Sequence, residues 1–261
     1  MRSLHGETVV VTGAAGGFGR ALTRQLLAEG CRLVLADLDR ARVEEAAASS
    51  AAPGAPGRVL GCIGADLADP AGADALHAEA MRLAPEVDML VNNAGVNVLG
   101  LLPDVPREKW ERLLQVNLLA PIRLTALFLP GMIARRKGHV VNVCSVAGLV
   151  GAREMTAYSA SKFGLRGFGE ALAEDVRGFG VRVTNVYPFY SRTPILECER
   201  YGRVDLTRVP ARLVYDPEYV MAKAIRGIRQ GKLHVFPGAM TRQIDVVRRF
   251  APWLRPVLER L

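Results

Sequence analysis

TVVVTGAAGGFG, residues 8–19, joins a β-branched apolar run to a glycine-rich turn that opens onto a helical pattern. The run reads as a buried parallel strand, because a strand covered on both faces has no need to alternate polar and apolar residues. Gly13, Gly17 and Gly19 allow a tight turn, close backbone approach and close helix packing. A helix starting here offers unpaired N–H groups and the positive end of its dipole, which suits a pyrophosphate. The spacing is GxxxGxG, not the commoner GxGxxG, and a purely structural turn fits the glycines taken alone.

Outward from this stretch the same alternation repeats. Strand-like runs fall at 31–37, 58–63, 88–93, 139–145, 181–187 and 232–236, with helical stretches near 17–29, 40–50, 70–84, 106–136, 155–178 and 216–230. Parallel strands need crossovers, so the pattern predicts an α/β fold: a Rossmann-type, doubly wound, seven-stranded parallel sheet with helices on both faces. These elements fill nearly all of residues 1–261, which predicts a single domain. AAASSAAPGAPG (46–57) reads as a surface loop. Residues 188–215 are irregular and rich in Arg, Tyr and Pro, the mark of a binding loop over a pocket. The tail 241–261 reads as a basic amphipathic helix interrupted at Pro252 and Pro256. Its apolar residues are expected to pack on the body or on a partner subunit, with membrane-surface contact the less favoured alternative.

Half of the 261 residues are hydrophobic, enough for one core. No apolar run approaches the ~18 residues that span a bilayer. The four cysteines are scattered without CxxC and the four histidines form no HExxH, so neither a disulfide framework nor a metal site is expected, and a reducing cytoplasm fits. The net charge of +8 comes mostly from single arginines among apolar residues. No nucleic-acid reading motif accompanies it, so nucleic acid is not expected as a partner.

Asp37 ends the second strand about twenty residues past the glycines, where a carboxylate can accept both hydroxyls of an adenosine ribose. A helix N-cap is the competing role, and Asp39 suits it better. A carboxylate at that place repels a 2′-phosphate. Leu38 follows it and the glycine loop itself holds no Lys or Arg before Gly19, so charge favours NAD over NADP, with Arg40 a nearby cation on the other side.

AYSASKFG, residues 157–164, places Tyr158 one helical turn before Lys162. A phenol of ordinary pKa near 10 is a poor base at neutrality. A cation at ~4 Å in an effective dielectric near 20 is worth about 4 kcal/mol, or about three pKa units, so Lys162 with an oxidised nicotinamide is expected to bring phenolate within reach, less whatever desolvation takes back. Ser145, ending the fifth strand, can hold a substrate oxygen. Taken singly, each has a bland alternative: a strand-end turn for the serine, an exposed helix face for the Tyr–Lys pair.

Taken in order, TGAAGGFG, Asp66 in GADLAD, NNAG at 92–95, Asn117, Ser145, Tyr158 and Lys162 resemble the short-chain dehydrogenase/reductase family over about residues 6–195. The resemblance implies a nicotinamide cofactor held by Gly13, Gly17, Phe18, Gly19, Asp37, Asp66, Asn93, Ala94, Gly95, Tyr158, Lys162, Pro188 and Thr193. It implies that Asn117, Ser145, Tyr158 and Lys162 are catalytic, with Asn117 at a helix kink and Tyr158 moving the proton. NVYPFYSRTPI departs from the family in placing Phe189 where a glycine is usual, which puts a bulky wall beside the nicotinamide.

The expected activity is therefore hydride transfer between NAD and a secondary alcohol or ketone. The loop's Phe189, Tyr190, Ile195, Leu196, Tyr201 and Val204, with Arg192, Arg200, Arg203, Arg208 and Arg212, imply an apolar floor with a basic rim, suited to a lipid-like or steroid-like substrate with an anionic end. The alternatives are an NADPH-dependent 3-oxoacyl (carrier protein) reductase and, in another class, a non-catalytic NAD-binding regulator. The resemblance also implies a homo-oligomer, dimer or tetramer, for which Trp110, Leu113, Leu114, Leu118, Leu165 and Phe168 offer a face.

Overall fold

A computed structural model of the chain describes residues 1–203, 213–251 and 253. In chain order the elements are β1 (Thr8–Thr12), α1 (Gly17–Ala28), β2 (Arg32–Asp37), α2 (Arg40–Ser50), β3 (Arg58–Gly64), α3 (Pro70–Leu83), β4 (Met89–Asn92) and β5 (Val98–Leu99). Then come α4 (Arg107–Leu114), a π-helical turn (Gln115–Leu119), α5 (Ala120–Ala134), β6 (Gly138–Val143), α6 (Thr156–Asp175) and β7 (Val181–Val186). The last are β8 (Glu199–Arg200), α7 (Pro217–Arg229), β9 (His234–Val235) and α8 (Ala239–Phe250).

Seven strands form one sheet in the order β3-β2-β1-β4-β6-β7-β9, every pair parallel. The chain winds outward from β1 to β3, then returns to lay β4 on the other side of β1. That reversal opens a crevice at the carboxyl ends of β1 and β4, where such sheets bind ligands. Along β1 the valines take turns. Val9 and Val11 pack under Leu22 and Leu26 of α1 and Ile225 of α7, while Val10 faces Leu76 of α3 and Leu124 and Phe128 of α5. Fully burying each such side chain is worth about 2 kcal/mol, so both faces hold the sheet between helices.

Asn92, Asn142 and Asn185 stand in register on β4, β6 and β7 and donate in series, Asn92 to Asn142 and Asn142 to Asn185, each over 3.0 Å. Gly169 of α6 lies against this ladder. A Cβ there would come within 2.2 Å of Asn185 Oδ1, so only glycine lets α6 settle at this depth.

Several expectations need correction. The helix foreseen over 106–136 is interrupted by the π turn at Gln115–Leu119. Residues 107–134 are together long and apolar enough to cross a membrane by length and composition, contrary to the reading of the apolar runs; here Ala120, Leu124, Phe128 and Met132 are buried in the core. The loop after β7 is not structureless. It forms a short 3-10 turn (Pro194–Glu197) and then β8, which pairs with β5 as a separate two-stranded sheet. Val204, Arg208 and Arg212, and Pro252 with the tail from 254 onward, lie outside the described residues.

Candidate active site

The glycine turn is as tight as its residues permit. Gly13 has φ +67°, and a Cβ there would meet Ala94 Cα at 2.7 Å; one on Gly19 would meet the Gly13 carbonyl oxygen at 2.0 Å. The α1 helix that follows has no side-chain cap and no acidic residue in its first turn. By contrast α2, α3 and α7 are capped by Asp39, Asp69 and Asp216. The first amides of α1 are thus left open toward a cavity of about 660 Å³ lined by Gly13, Gly16, Gly17 and Phe18. Open amides on a glycine loop are what a pyrophosphate requires, so the site fits a dinucleotide.

Asp37 lies at the same cavity. Its carboxylate accepts from the Ala15 amide at 3.0 Å and the Leu38 amide at 2.7 Å, which leaves lone pairs for a ribose. Asp39 caps α2 instead, accepting from Ala41 at 2.9 Å. Of the nearby cations, Arg40 is held by Glu44 at 2.8 Å, whereas Arg42, which sequence reasoning passed over, lines the cavity. Farther along the cavity Asp66 is gripped by both terminal nitrogens of Arg112, at 3.0 and 3.1 Å, and accepts from Ala68 at 2.9 Å. Partial burial pushes the Asp66 carboxyl up, but that amide and the guanidinium together hold it below its usual value.

Thr12 Oγ1 accepts from the Asn93 and Ala94 amides at 3.1 and 3.0 Å. The Asn93 side chain donates to the carbonyls of Thr12 and Gly13, at 2.9 and 3.0 Å, so it braces the glycine loop as well as lining the cavity. Gly95 sits between Asn117 and Lys162. A Cβ there would stand 3.4 Å from Asn117 Oδ1 and 3.6 Å from Lys162 Nζ.

Ser145, Tyr158 and Lys162 meet at one wall of this cavity. Ser145 caps a short turn through the Ala147 amide at 3.1 Å and hydrogen-bonds the Tyr158 phenol. Lys162, 3% exposed, donates from Nζ to the Val143 carbonyl at 3.0 Å and stands 5.7 Å from the Tyr158 ring centroid. Burial draws its ammonium down from 10.5 to about 8. Tyr158 keeps some surface open to the cavity, yet protein crowds its hydroxyl. This desolvation pushes the phenol up to about 12, and the Ser145 hydrogen bond only partly offsets it. The expected lowering of the phenol is thus not met by the protein alone, because burial outweighs what lowers it.

Asn117 lies in the π turn, fully buried and off the cavity wall. Its amide brackets Val96, accepting from the nitrogen and donating to the carbonyl, each at 2.8 Å, and donates to Ser161 Oγ at 3.3 Å. Ser161 in turn donates to the Tyr158 carbonyl at 2.7 Å. Ser161 was not among the residues singled out from the sequence. Its place one turn past Tyr158 was the signal that it faces the same way. A cysteine neighbour is inert: burial pushes the Cys144 thiol up to about 12.

The far end of the cavity is formed by the loop after β7. Pro188 accepts from the Val146 amide at 2.9 Å, and Phe189 has no positive φ, so a glycine is not needed there. Its ring packs edge-on to Tyr190, centroids 5.0 Å apart, and joins the cluster of Leu149, Tyr187 and Ile244. Thr193 leans on the glycine loop, where a Cβ on Gly17 would meet its Cγ2 at 2.6 Å. Ile195 and Leu196 line this end as expected of an apolar floor, whereas Tyr201 does not.

For the described arginines the basic rim needs correction. Arg192, Arg200 and Arg203 do not line the cavity, and Arg192 turns to Asp216 at 2.8 Å. Among the described residues, the charged groups lining this end are Glu197, Glu199 and Lys109. Lys109 of α4 holds Glu199 at 2.8 Å, and Tyr201 also donates to Glu199, which ties the loop down.

A dinucleotide crevice with a Ser–Tyr–Lys wall defines a nicotinamide-dependent oxidoreductase. The family model for short chain dehydrogenases matches residues 7–202, and the chain belongs to that family. It is similar to a 3-oxoacyl-(acyl-carrier-protein) reductase of Thermotoga maritima, 32% identical over 83% of this chain and 88% of that protein. Among solved structures it resembles a short chain dehydrogenase/reductase from Burkholderia phymatum in complex with NAD, with a TM-score of 0.83 and 26% identity, covering 98% of this chain and 96% of that one. A Sphingobium yanoikuyae short-chain dehydrogenase in complex with NADPH gives a TM-score of 0.81 at 26% identity, covering 96% and 95%.

Proposed function

We propose that the chain moves a hydride between NAD and a bulky, neutral, apolar secondary alcohol or ketone. The observation that carries the reading is the assembly of Ser145, Tyr158 and Lys162 on one cavity wall between the α1 amides and an apolar end. The nicotinamide, when bound, supplies or accepts the hydride. Ser145 holds the substrate oxygen and Tyr158 exchanges its proton. A phenol held near 12 is a ready acid for ketone reduction, and it serves as a base for oxidation once further positive charge lies beside it. Phe189, Tyr190, Ile195 and Leu196 favour an apolar substrate. The carboxylates of Glu197 and Glu199 at the rim disfavour an anionic end.

Absorbance of NADH against a panel of alcohols and ketones tests this. Bulky neutral ketones are expected to lead; preference for short sugar alcohols or for acyl thioesters refutes it. The second reading, an NADPH-dependent 3-oxoacyl reductase, is supported by the similarity to the Thermotoga protein and by Arg42 at the cavity. Much tighter binding of NADPH than NADH would favour it. NADH binding without turnover on any substrate would favour the regulator.

A cytoplasmic, homo-oligomeric protein remains our reading. The free cysteines suit it, but the subunit face needs redrawing. Leu113 and Leu165 are 0% and 1% exposed, spent inside the chain, while Phe163 on α6 is 41% exposed and takes their place as the contact residue.

A further inference from the structure

The last described helix presents two faces. Inward, Thr241, Ile244 and Asp245 of α8 are buried, and Ile244 and Met240 join the cluster that includes Phe189. Outward, Arg242, Val246, Arg249 and Phe250 form one stripe on α8, and Trp253 lies just past the end of that helix. The apolar members are unusually bare: Val246 is 50% exposed, Phe250 74% and Trp253 72%. Asp245 is engaged by Arg248 at 3.0 Å and Arg249 at 2.9 Å. Arg242 has no ion-pair partner among the described residues.

We propose that this outer face of α8 docks on an anionic phospholipid surface, with Phe250 and Trp253 entering the interface and Arg242 and Arg249 meeting the headgroups. Charge complementarity selects this occupant. From 241 onward the sequence carries five arginines against Asp245 and Glu259, within a chain of net charge +8. Aromatic and aliphatic residues in line with arginines are the pattern of a helix lying in the interfacial plane. A second copy of the chain is the poorer fit. A stable protein interface needs roughly 800 Å² on each side with few charges at its centre, and this stripe is narrow and split by arginines. The proposal does not depend on which substrate the cavity takes.

The full chain is mixed with vesicles of phosphatidylcholine alone or with added phosphatidylserine, and cosedimentation is measured. Trp253 is read from the difference in fluorescence between the wild type and Trp253→Phe, with brominated lipid as quencher. Binding to the phosphatidylserine vesicles only, weakened by salt, with Trp253 quenched by lipid, is the expected result. Phe250→Ser with Trp253→Ser should weaken binding by at least about tenfold, from the lost apolar burial. Arg242→Gln should weaken it less. Equal behaviour toward both vesicle types overturns the proposal. So does a Trp253 blue shift that grows with protein concentration and needs no lipid, which would assign the face to a second copy.

Discussion

Replacing Lys162 by methionine should make the fold more stable at pH 7 while removing activity. The side chain is 3% exposed, and burial draws its pKa from 10.5 to about 8. That drop corresponds to about 3 kcal/mol of penalty for keeping the ammonium charged inside the fold. Methionine of similar length fills the space without the charge, at the cost of the hydrogen bond to the Val143 carbonyl, about 1 kcal/mol. The net gain at pH 7 is about 2 kcal/mol. Its sign depends on pH. Below pH 8 the native and unfolded chains both hold the proton, and the full penalty stands. Between about 8 and 10.5 the native side chain releases its proton first, so the wild type gains stability as pH rises. Urea unfolding of both proteins at pH 7 and pH 10 measures this. The variant should be the more stable at pH 7, and the gap should close or reverse at pH 10. A variant less stable than wild type at pH 7, or a gap of the same size at both pH values, refutes the reasoning.

Asp37→Ser removes the carboxylate that we propose faces the ribose and repels a 2′-phosphate. The ratio of NADPH to NADH affinity should rise by at least about tenfold in a fluorescence titration, and an unchanged ratio would remove Asp37 from cofactor selection. Lys109→Met unties α4 from Glu199 on an exposed surface, so unfolding should be unaffected while KM rises and kcat holds; steady-state kinetics beside a melting curve checks this. Gly169→Ala drives a methyl group to within 2.2 Å of Asn185 Oδ1 and lifts α6 from the sheet. The expected loss is about 1–3 kcal/mol by urea unfolding, with kcat falling because Tyr158 and Lys162 ride on that helix.

The sheet was legible because its strands are written as β-branched runs, and each crossover carries enough turns to show a helical period. Only elements too short for any period escaped. Val98–Leu99 and Glu199–Arg200 are two-residue strands whose pairing depends on a loop returning across the molecule. The break in the long helix was hinted at by Asn117, a mediocre helix former, but the π turn itself follows from the bracket Asn117 makes with Val96. Contacts between distant segments left no local trace: Arg112 reaches Asp66 and Lys109 reaches Glu199 only after folding. The arginines of the loop could be counted from the sequence, but not the direction in which Arg192 turns. The same limit explains the phenol. One helical turn between Tyr158 and Lys162 gives their shared face, whereas the desolvation that pushes Tyr158 up to about 12 comes from the whole wall around it.

Tyr158→Phe tests proton exchange at the phenol most directly, since the substitution removes one oxygen and leaves the ring. With NADH binding and the circular dichroism spectrum matched to wild type, turnover on the best substrate should fall by about 10²–10⁴-fold, and the pH dependence of the residual rate should flatten. Turnover within a few-fold of wild type in that folded, cofactor-binding variant would contradict the account.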